Sequence, residues 1–336
     1  MDSLSQIVLG AACGQAAAGK QLGNKALLWG AIGGTIPDLD TFLTPLVDDV
    51  SALLVHRGYT HSMFFSFAVA PILAWILHRF NKNASYFTWF NLFFWSLITH
   101  PMLDCCTGYG TPFFLPFSDF RVDINSIFII DPVYTLIFIV CLIMIMRKGK
   151  DHIQRTRWNN RGIFLSTAYL LFTMLNQNIQ TKIFKDELAK QKISYNSTFS
   201  APTAFNQFLF YNITATDSGY YHGYHSWFDS KPITFKFYPK NADMLAPEFE
   251  ADPQIQKLKY FSKGFYCYEL TNEGLYFCDV RFGKIGGFNN EKCDWVFRWK
   301  ISPNREEKNK LKIEKGNWSF SRFKALSELW KRIKGN

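Results

Sequence analysis

The first 184 residues hold nearly all the long apolar runs of this 336-residue chain, and that asymmetry limits what it can fold into. The runs cover roughly 4–19, 26–46, 62–80, 86–105, 126–146 and 162–184. A helix needs about 20 apolar residues to cross the hydrocarbon core of a bilayer. The last four runs meet or approach that length. The first is short and rich in Ala and Gly, and the second is broken by Pro37 and two aspartates. These two are expected to be short, tilted or partly re-entrant. Both carry Gly-x-x-x-Gly spacing, Gly10 with Gly14 and Gly30 with Gly34. That spacing lets helix backbones approach closely in lipid.

Residues 185–336 are polar, aromatic and lysine-rich. Ile233 to Tyr238 alternates apolar and polar residues, and Tyr276 to Phe282 and Trp295 to Trp299 are similarly β-prone. Residues 318–334 have the pattern of an amphipathic helix, with Leu329 and Trp330 on one face. The expected fold is an all-α polytopic membrane domain of about six helices over 1–184, followed by a mostly β soluble domain over 185–336.

Charge sets the expected orientation. The net charge is +10. Nucleic-acid binding is not expected, because no stacking-aromatic motif of an RNA-binding module accompanies the basic residues. Lys and Arg instead collect in cytoplasmic loops of membrane proteins. The loop after the fifth run carries Arg147, Lys148, Lys150, Arg155, Arg157 and Arg161 against one acid, Asp151. Arg79 with Lys82, and Lys20 with Lys25, fall on the same side if every run crosses. The opposite loops are balanced or acidic. The N-terminus and everything after residue 184 are then extracytoplasmic. No basic n-region precedes the first run, so insertion is expected to rely on the internal helices. The seven cysteines form no CxxC framework; Cys267, Cys278 and Cys293 lie in the soluble part, where a disulfide would leave one over.

Ionisable residues beside membrane helices are costly and usually functional. Here they are Asp2; Asp38 and Asp40 in Pro37-Asp-Leu-Asp40; His56, Arg57 and His61 in His56-Arg-Gly-Tyr-Thr-His-Ser62; His100 and Asp104 in His100-Pro-Met-Leu-Asp104; and Asp119. His100 and Asp104 are four apart and share one helix face. With alternating crossings, all these groups reach the same outer face, an assignment that used only the Lys and Arg loops. Imidazole nitrogens with carboxylate oxygens suit Zn²⁺ first, and Mn²⁺ or Fe²⁺ where oxygen dominates. The expected ligands are Asp38, Asp40, His61, His100 and Asp104. His56 is a ligand or proton shuttle, and Arg57 a group that steadies developing negative charge. Asp2 has a simpler reading as the cap of the first helix.

Together with the opening Met1-Asp-Ser-Leu-Ser-Gln-Ile-Val-Leu-Gly10, these motifs resemble, in order and spacing, the YdjM-like family of membrane-bound proteins assigned as metal-dependent hydrolases. The resemblance covers roughly residues 1–180, and His-Arg-Gly-x-Thr-His-Ser is its most specific part. Many members carry His where Gln6 stands, so this chain replaces that residue or does without it. The resemblance implies a bacterial cytoplasmic (inner) membrane protein. The expected activity is metal-assisted hydrolysis of a phosphoester or lipid-linked substrate at the outer membrane face. The competing class is a non-catalytic metal-binding scaffold or assembly protein. A transporter would want its ionisable groups nearer the bilayer midplane than these helix-end positions.

Overall fold

The computed structural model describes residues 1–149, 152–285, 294–304, 311–316 and 322–336. Lys150, Asp151, Cys293 and residues 318–321 of the expected C-terminal helix lie outside the described residues. The chain divides into two units. One comprises Met1–Leu43, Val55–Asn176 and Ala204–Asn206; the other comprises Thr44–Leu54, Gln177–Thr203 and Gln207–Asn336.

The first unit is helical. Asp2 caps α1 (Ser3–Leu22) by accepting from the Ser5 amide at 3.1 Å, so capping is what the structure assigns to this acid. Gly23, with φ of 57°, breaks the chain into α2 (Asn24–Thr35). The two helices interdigitate through the glycines. A Cβ on Gly10, Gly14, Gly30 or Gly34 would meet backbone of the facing helix under 3.0 Å. The close approach turns on the missing side chains, the device the spacing suggested.

After α2 the chain tightens into a 3-10 stretch, Ile36–Leu46, which carries Asp38 and Asp40. A short helix, α3 (Asp49–Val55), leads to the His56–His61 turn. Ser62 caps α4 (Met63–Phe80) through a 3.1 Å bond from the Phe65 amide. Ser85 likewise caps α5 (Tyr86–Asp104), and Asp131 caps α6 (Pro132–Met146). The last helix here, α7 (Gln154–Lys190), begins in this unit. Among the described residues, α4 alone is long and apolar enough by itself to cross a membrane, with mean hydropathy 1.6; α6 is apolar but shorter. The other apolar runs are diluted by Gly, by His and Asp, or by Asn and Gln.

The centre of the bundle is built on α5, whose Trp89, Leu92, Phe93 and Leu97 are fully buried against Ala70 and Ala74 of α4 and Ala18 of α1. Arg155, expected as a loop charge, is buried instead. Its guanidinium donates to Asn24 Oδ1 at 2.8 Å, Gln15 Oε1 at 2.8 Å and the Ile145 carbonyl at 3.0 Å. It thus ties the ends of α1, α2 and α6 to the start of α7.

The second unit contains two antiparallel sheets. One has the order β1 (Ser197–Pro202), β2 (Leu209–Ala215), β3 (Gly219–Ser226), β4 (Phe235–Pro239). The other has the order β5 (Tyr266–Thr271), β6 (Gly274–Lys284), β7 (Trp295–Pro303), β8 (Leu311–Lys315). The inward residues of both, including Phe199, Ile213, Cys278, Val280 and Trp295, share one core. Burying each large apolar side chain contributes roughly 1.5–3 kcal/mol. Among the described residues, α8 (Pro253–Phe261), α9 (Arg322–Ile333) and the part of α7 from Gln177 onward also belong to this unit. Thr44–Leu54 belongs here as well. Ser51 Oγ accepts from Lys257 at 2.7 Å, and Asp49 Oδ2 accepts from the Lys315 amide at 2.9 Å.

Candidate metal centre

Four elements of the helical unit bring the site together: the 3-10 stretch, the His56–His61 turn, the C-terminal end of α5 and the start of α1. Asp38, His61 and His100 each present one ligand atom, all within 4.8 Å of one another. The histidines are buried and Asp38 is partly so. This group can hold a metal ion.

The hydrogen-bond network assigns both tautomers. His100 Nδ1 lies 2.6 Å from the Gly34 carbonyl, which can only accept, so Nδ1 carries the proton and Nε2 a lone pair. The close α1–α2 crossing places that carbonyl. For His61, Nδ1 faces Thr60 Oγ1 at 3.0 Å and Asp40 Oδ2 at 3.2 Å. The Thr60 hydroxyl donates its one proton to Asp40 Oδ2 at 2.6 Å, so His61 Nδ1–H is the donor on its side. In the neutral ring its Nε2 then carries a second lone pair.

These two lone pairs lie 3.2 Å apart. Asp38 Oδ1 is 3.4 Å from the first and 3.3 Å from the second. Asp104 Oδ2 is 3.4 Å from His61 Nε2 and 3.7 Å from His100 Nε2. Asp38 Oδ1 and the two imidazole nitrogens thus form a triangle with edges of 3.2–3.4 Å, and Asp104 Oδ2 lies beside it against the two imidazoles. Metal–ligand bonds of about 2.0–2.1 Å put tetrahedral corners roughly 3.3–3.4 Å apart, so the spacing fits a small divalent ion. Asp104 Oδ2 is buried and ion-paired with Arg57, whose Nε is 3.2 Å away. The face shared by Asp38 Oδ1 and the two imidazole nitrogens presents acceptors, which suits a cation.

The expected site residues divide by position. Asp38, His61, His100 and Asp104 face the centre. Asp40 stands behind His61: its Oδ1 meets His56 Nδ1 at 2.9 Å, and its Oδ2 accepts from the Arg57 amide at 3.1 Å and from Thr60. With its oxygens engaged there, Asp40 is turned toward the far nitrogen of His61 rather than toward the centre. His56 is one carboxylate further out, with a side chain 29% exposed. Arg57 is buried, with Nε 3.2 Å from Asp104 Oδ2, Nη1 3.1 Å from Thr107 Oγ1, and its guanidinium 4.7 Å over the Tyr109 ring. Burial lowers its pKa to about 10, so it stays charged at neutral pH. Its backbone sits at φ of 59°, a conformation that costs a side-chain-bearing residue roughly 1–2 kcal/mol. The Met1 amino group pairs with Asp104 Oδ1, and Gln6 Nε2 donates to the same oxygen at 3.2 Å. Asp119 is exposed and outside the Asp38–His61–His100 group.

Sequence reasoning missed Thr60, Thr107, Tyr109 and the Gly34 carbonyl. Thr60 had a signal, its place inside His56-Arg-Gly-Tyr-Thr-His-Ser62. The others depend on the folded chain.

The fold and site define a class: a protein with an N-terminal helical unit that gathers a buried Asp/His/His group at its helix ends, followed by an antiparallel β region. The chain belongs to the YdjM inner membrane protein family, whose description matches residues 1–180. It is also 31% identical over 99 residues to inner membrane protein YbcI of Escherichia coli (strain K12), a match covering 29% of this chain and 57% of that protein. The chain thus spans little more than half the length of that relative. No solved structure matches it.

Proposed function

We propose that this protein is a polytopic membrane metal-dependent hydrolase acting at the extracytoplasmic face on a phosphoester of a lipid or lipid-linked substrate. The triangle of Asp38 Oδ1, His61 Nε2 and His100 Nε2, with edges of 3.2–3.4 Å, carries the reading, because three protein ligands leave a position open for water. Each of the six long N-terminal helices exposes large apolar side chains, among them Leu28, Phe67, Trp75, Phe87, Val140 and Phe172. Soluble monomers rarely expose so much apolar surface. That supports several crossings, although among the described residues only α4 has the length and hydropathy of an independent span.

Asp38, His61 and His100 would hold the ion, with zinc favoured by the mixed nitrogen and oxygen donors. Bound there, a divalent ion lowers the pKa of water and polarises a phosphoryl oxygen. Asp40, with Thr60, orients His61 from behind, and the Gly34 carbonyl does the same for His100. Asp104 takes the proton of the attacking water. Arg57, paired to Asp104 and held over Tyr109, is placed to bind a phosphoryl oxygen as charge develops. His56, 29% exposed and 2.9 Å from Asp40 Oδ1, stands at the solvent edge of the site, where it is placed as a proton shuttle. A mostly apolar cavity of about 620 Å³ is lined by Leu9, Phe87, Trp95 and Ile163 and reaches Thr99, the neighbour of His100. It suits an alkyl chain, which supports the lipid class.

The second reading is a structural metal site, favoured by one observation: Asp104 Oδ2 lies 3.4 and 3.7 Å from the two imidazole nitrogens, where a small shift would let it close the shell. Metal analysis of the purified protein, joined to phosphate release from lipid extracts, tests both. His61→Ala and His100→Ala should each lose bound metal; stoichiometric metal in both would overturn the site. Asp104→Asn should keep metal and lose about 10²–10⁴-fold in phosphate release if Asp104 is the base. A wild-type protein that binds metal and releases no phosphate supports the structural reading.

A further inference from the structure

We infer that Cys267 and Cys278 form a disulfide in the protein as it exists in the cell, a bond that staples the β5–β6 hairpin. The inference rests on the extracytoplasmic placement of the β region proposed above.

The two cysteines are direct partners in the antiparallel register of β5 and β6. Side chains of register partners lie on the same face of the sheet. Here that face is the core: Cys267 is 3% exposed and Cys278 is fully buried. Both are free thiols of the same core cluster. Facing residues in an antiparallel pair have Cα atoms about 4.5 or 5.5 Å apart, and both spacings fall within the disulfide range of about 4.4–6.8 Å. The bond therefore needs no change of register. Elsewhere among the described cysteines, Cys13 and Cys141 sit in separate helices, and Cys105 and Cys106 are chain neighbours at the end of α5. A buried thiol is ordinary packing; two in register across a strand pair are a bond awaiting an oxidant.

The compartment supplies one by chemical class, a protein disulfide. One cysteine thiolate attacks that disulfide and releases one of its sulfurs as a thiolate, giving a mixed disulfide. The second cysteine thiolate then attacks the sulfur of the first and releases the oxidant's other thiolate. Two cysteine thiols are oxidised, one disulfide is reduced to a dithiol, and the two protons pass to the released thiolates. Burial raises the Cys278 thiol well above its ordinary value, so the exchange belongs to folding, before the two sheets close.

The test uses the full chain in its native membranes. Cells are quenched in acid, the protein is denatured, free thiols are alkylated without reduction, and peptides are mapped by mass spectrometry. The expected result is a peptide pair joined through Cys267 and Cys278, separating only on reduction. Cys267→Ser should release Cys278 to alkylation. Alkylation of both wild-type thiols without reduction, or a link from either to Cys293, overturns the inference. A parallel arm labels Asn272→Cys, at the exposed hairpin turn, with a membrane-impermeant maleimide in intact spheroplasts. Labelling with free Cys267 and Cys278 sinks the disulfide alone; no labelling with free thiols sinks the extracytoplasmic placement as well.

Discussion

Asp38 and Asp40 are two residues apart, yet they face opposite nitrogens of the same imidazole. Asp38 Oδ1 lies 3.4 Å from His61 Nε2, whereas Asp40 Oδ2 lies 3.2 Å from His61 Nδ1. The 3-10 backbone makes the difference, because it turns alternate side chains in different directions rather than onto one face. The distinction predicts unequal losses. Asp38→Asn should abolish stoichiometric binding. Asp40→Asn keeps an acceptor for His61 but removes the charge that fixes its tautomer, so affinity should fall about 10- to 100-fold with stoichiometry retained. Metal titration of the two variants decides this, and equal losses would sink the assignment of Asp40 to a position behind His61. At this scale the sequence was informative about residue types and poor about direction. Motif spacing brought Asp38, His61, His100 and Asp104 into view, because helix ends and short turns keep such groups near one another. It could not distinguish Asp38 from Asp40, since that depends on which way a local backbone turns. Nor could it find the Gly34 carbonyl, which reaches His100 through tertiary packing.

The glycines of α1 and α2 connect helix packing to the metal centre. A Cβ on Gly30 would collide with backbone of Gly10 and Gly14, and neither can move aside without displacing its helix. Gly30→Leu should therefore push α2 away from α1, at a cost of about 1–3 kcal/mol or more. The displacement would carry the Gly34 carbonyl away from His100 Nδ1, now 2.6 Å distant. Metal affinity should fall although no ligand has been touched. Thermal unfolding and metal titration of Gly30→Leu check both halves; an unchanged affinity would mean that the carbonyl does not orient the ligand. The Gly-x-x-x-Gly spacing was legible as a close approach, but what that approach positions was not. Similarly, strand alternation announced the β region; the Asp252-Pro253 start of α8 was a local signal left unread, and the burial of Arg155 had none. Arg155 read as a loop charge because its partners are helix-end carbonyls and side chains far away in the chain.

At the scale of the whole molecule, the chain leaves the helical unit after Leu43 and returns at Val55, and the excursion belongs to the β-containing unit. No composition shift marks it. Its two ends are bracketed by site residues, Asp38 and Asp40 before it and His56, Arg57 and His61 after it. The excursion is held by Lys257 Nζ donating to Ser51 Oγ at 2.7 Å and by the Lys315 amide donating to Asp49 Oδ2 at 2.9 Å. A tethered connection has less conformational freedom than a loose loop, so less order remains to be imposed when an ion draws the two halves of the site together. Releasing the tether should make binding pay that cost. Two hydrogen bonds contribute about 1 kcal/mol each, which limits the expected loss to about 5- to 30-fold in metal affinity. Lys257→Ala with Asp49→Ala should show that loss with stoichiometry intact, together with faster proteolytic cleavage between residues 44 and 54. Cleavage without any change in affinity would show that the two halves of the site are held by the helical unit alone. An affinity that falls with the tether would show that the order of this connection, and not the ligands alone, sets the strength of metal binding.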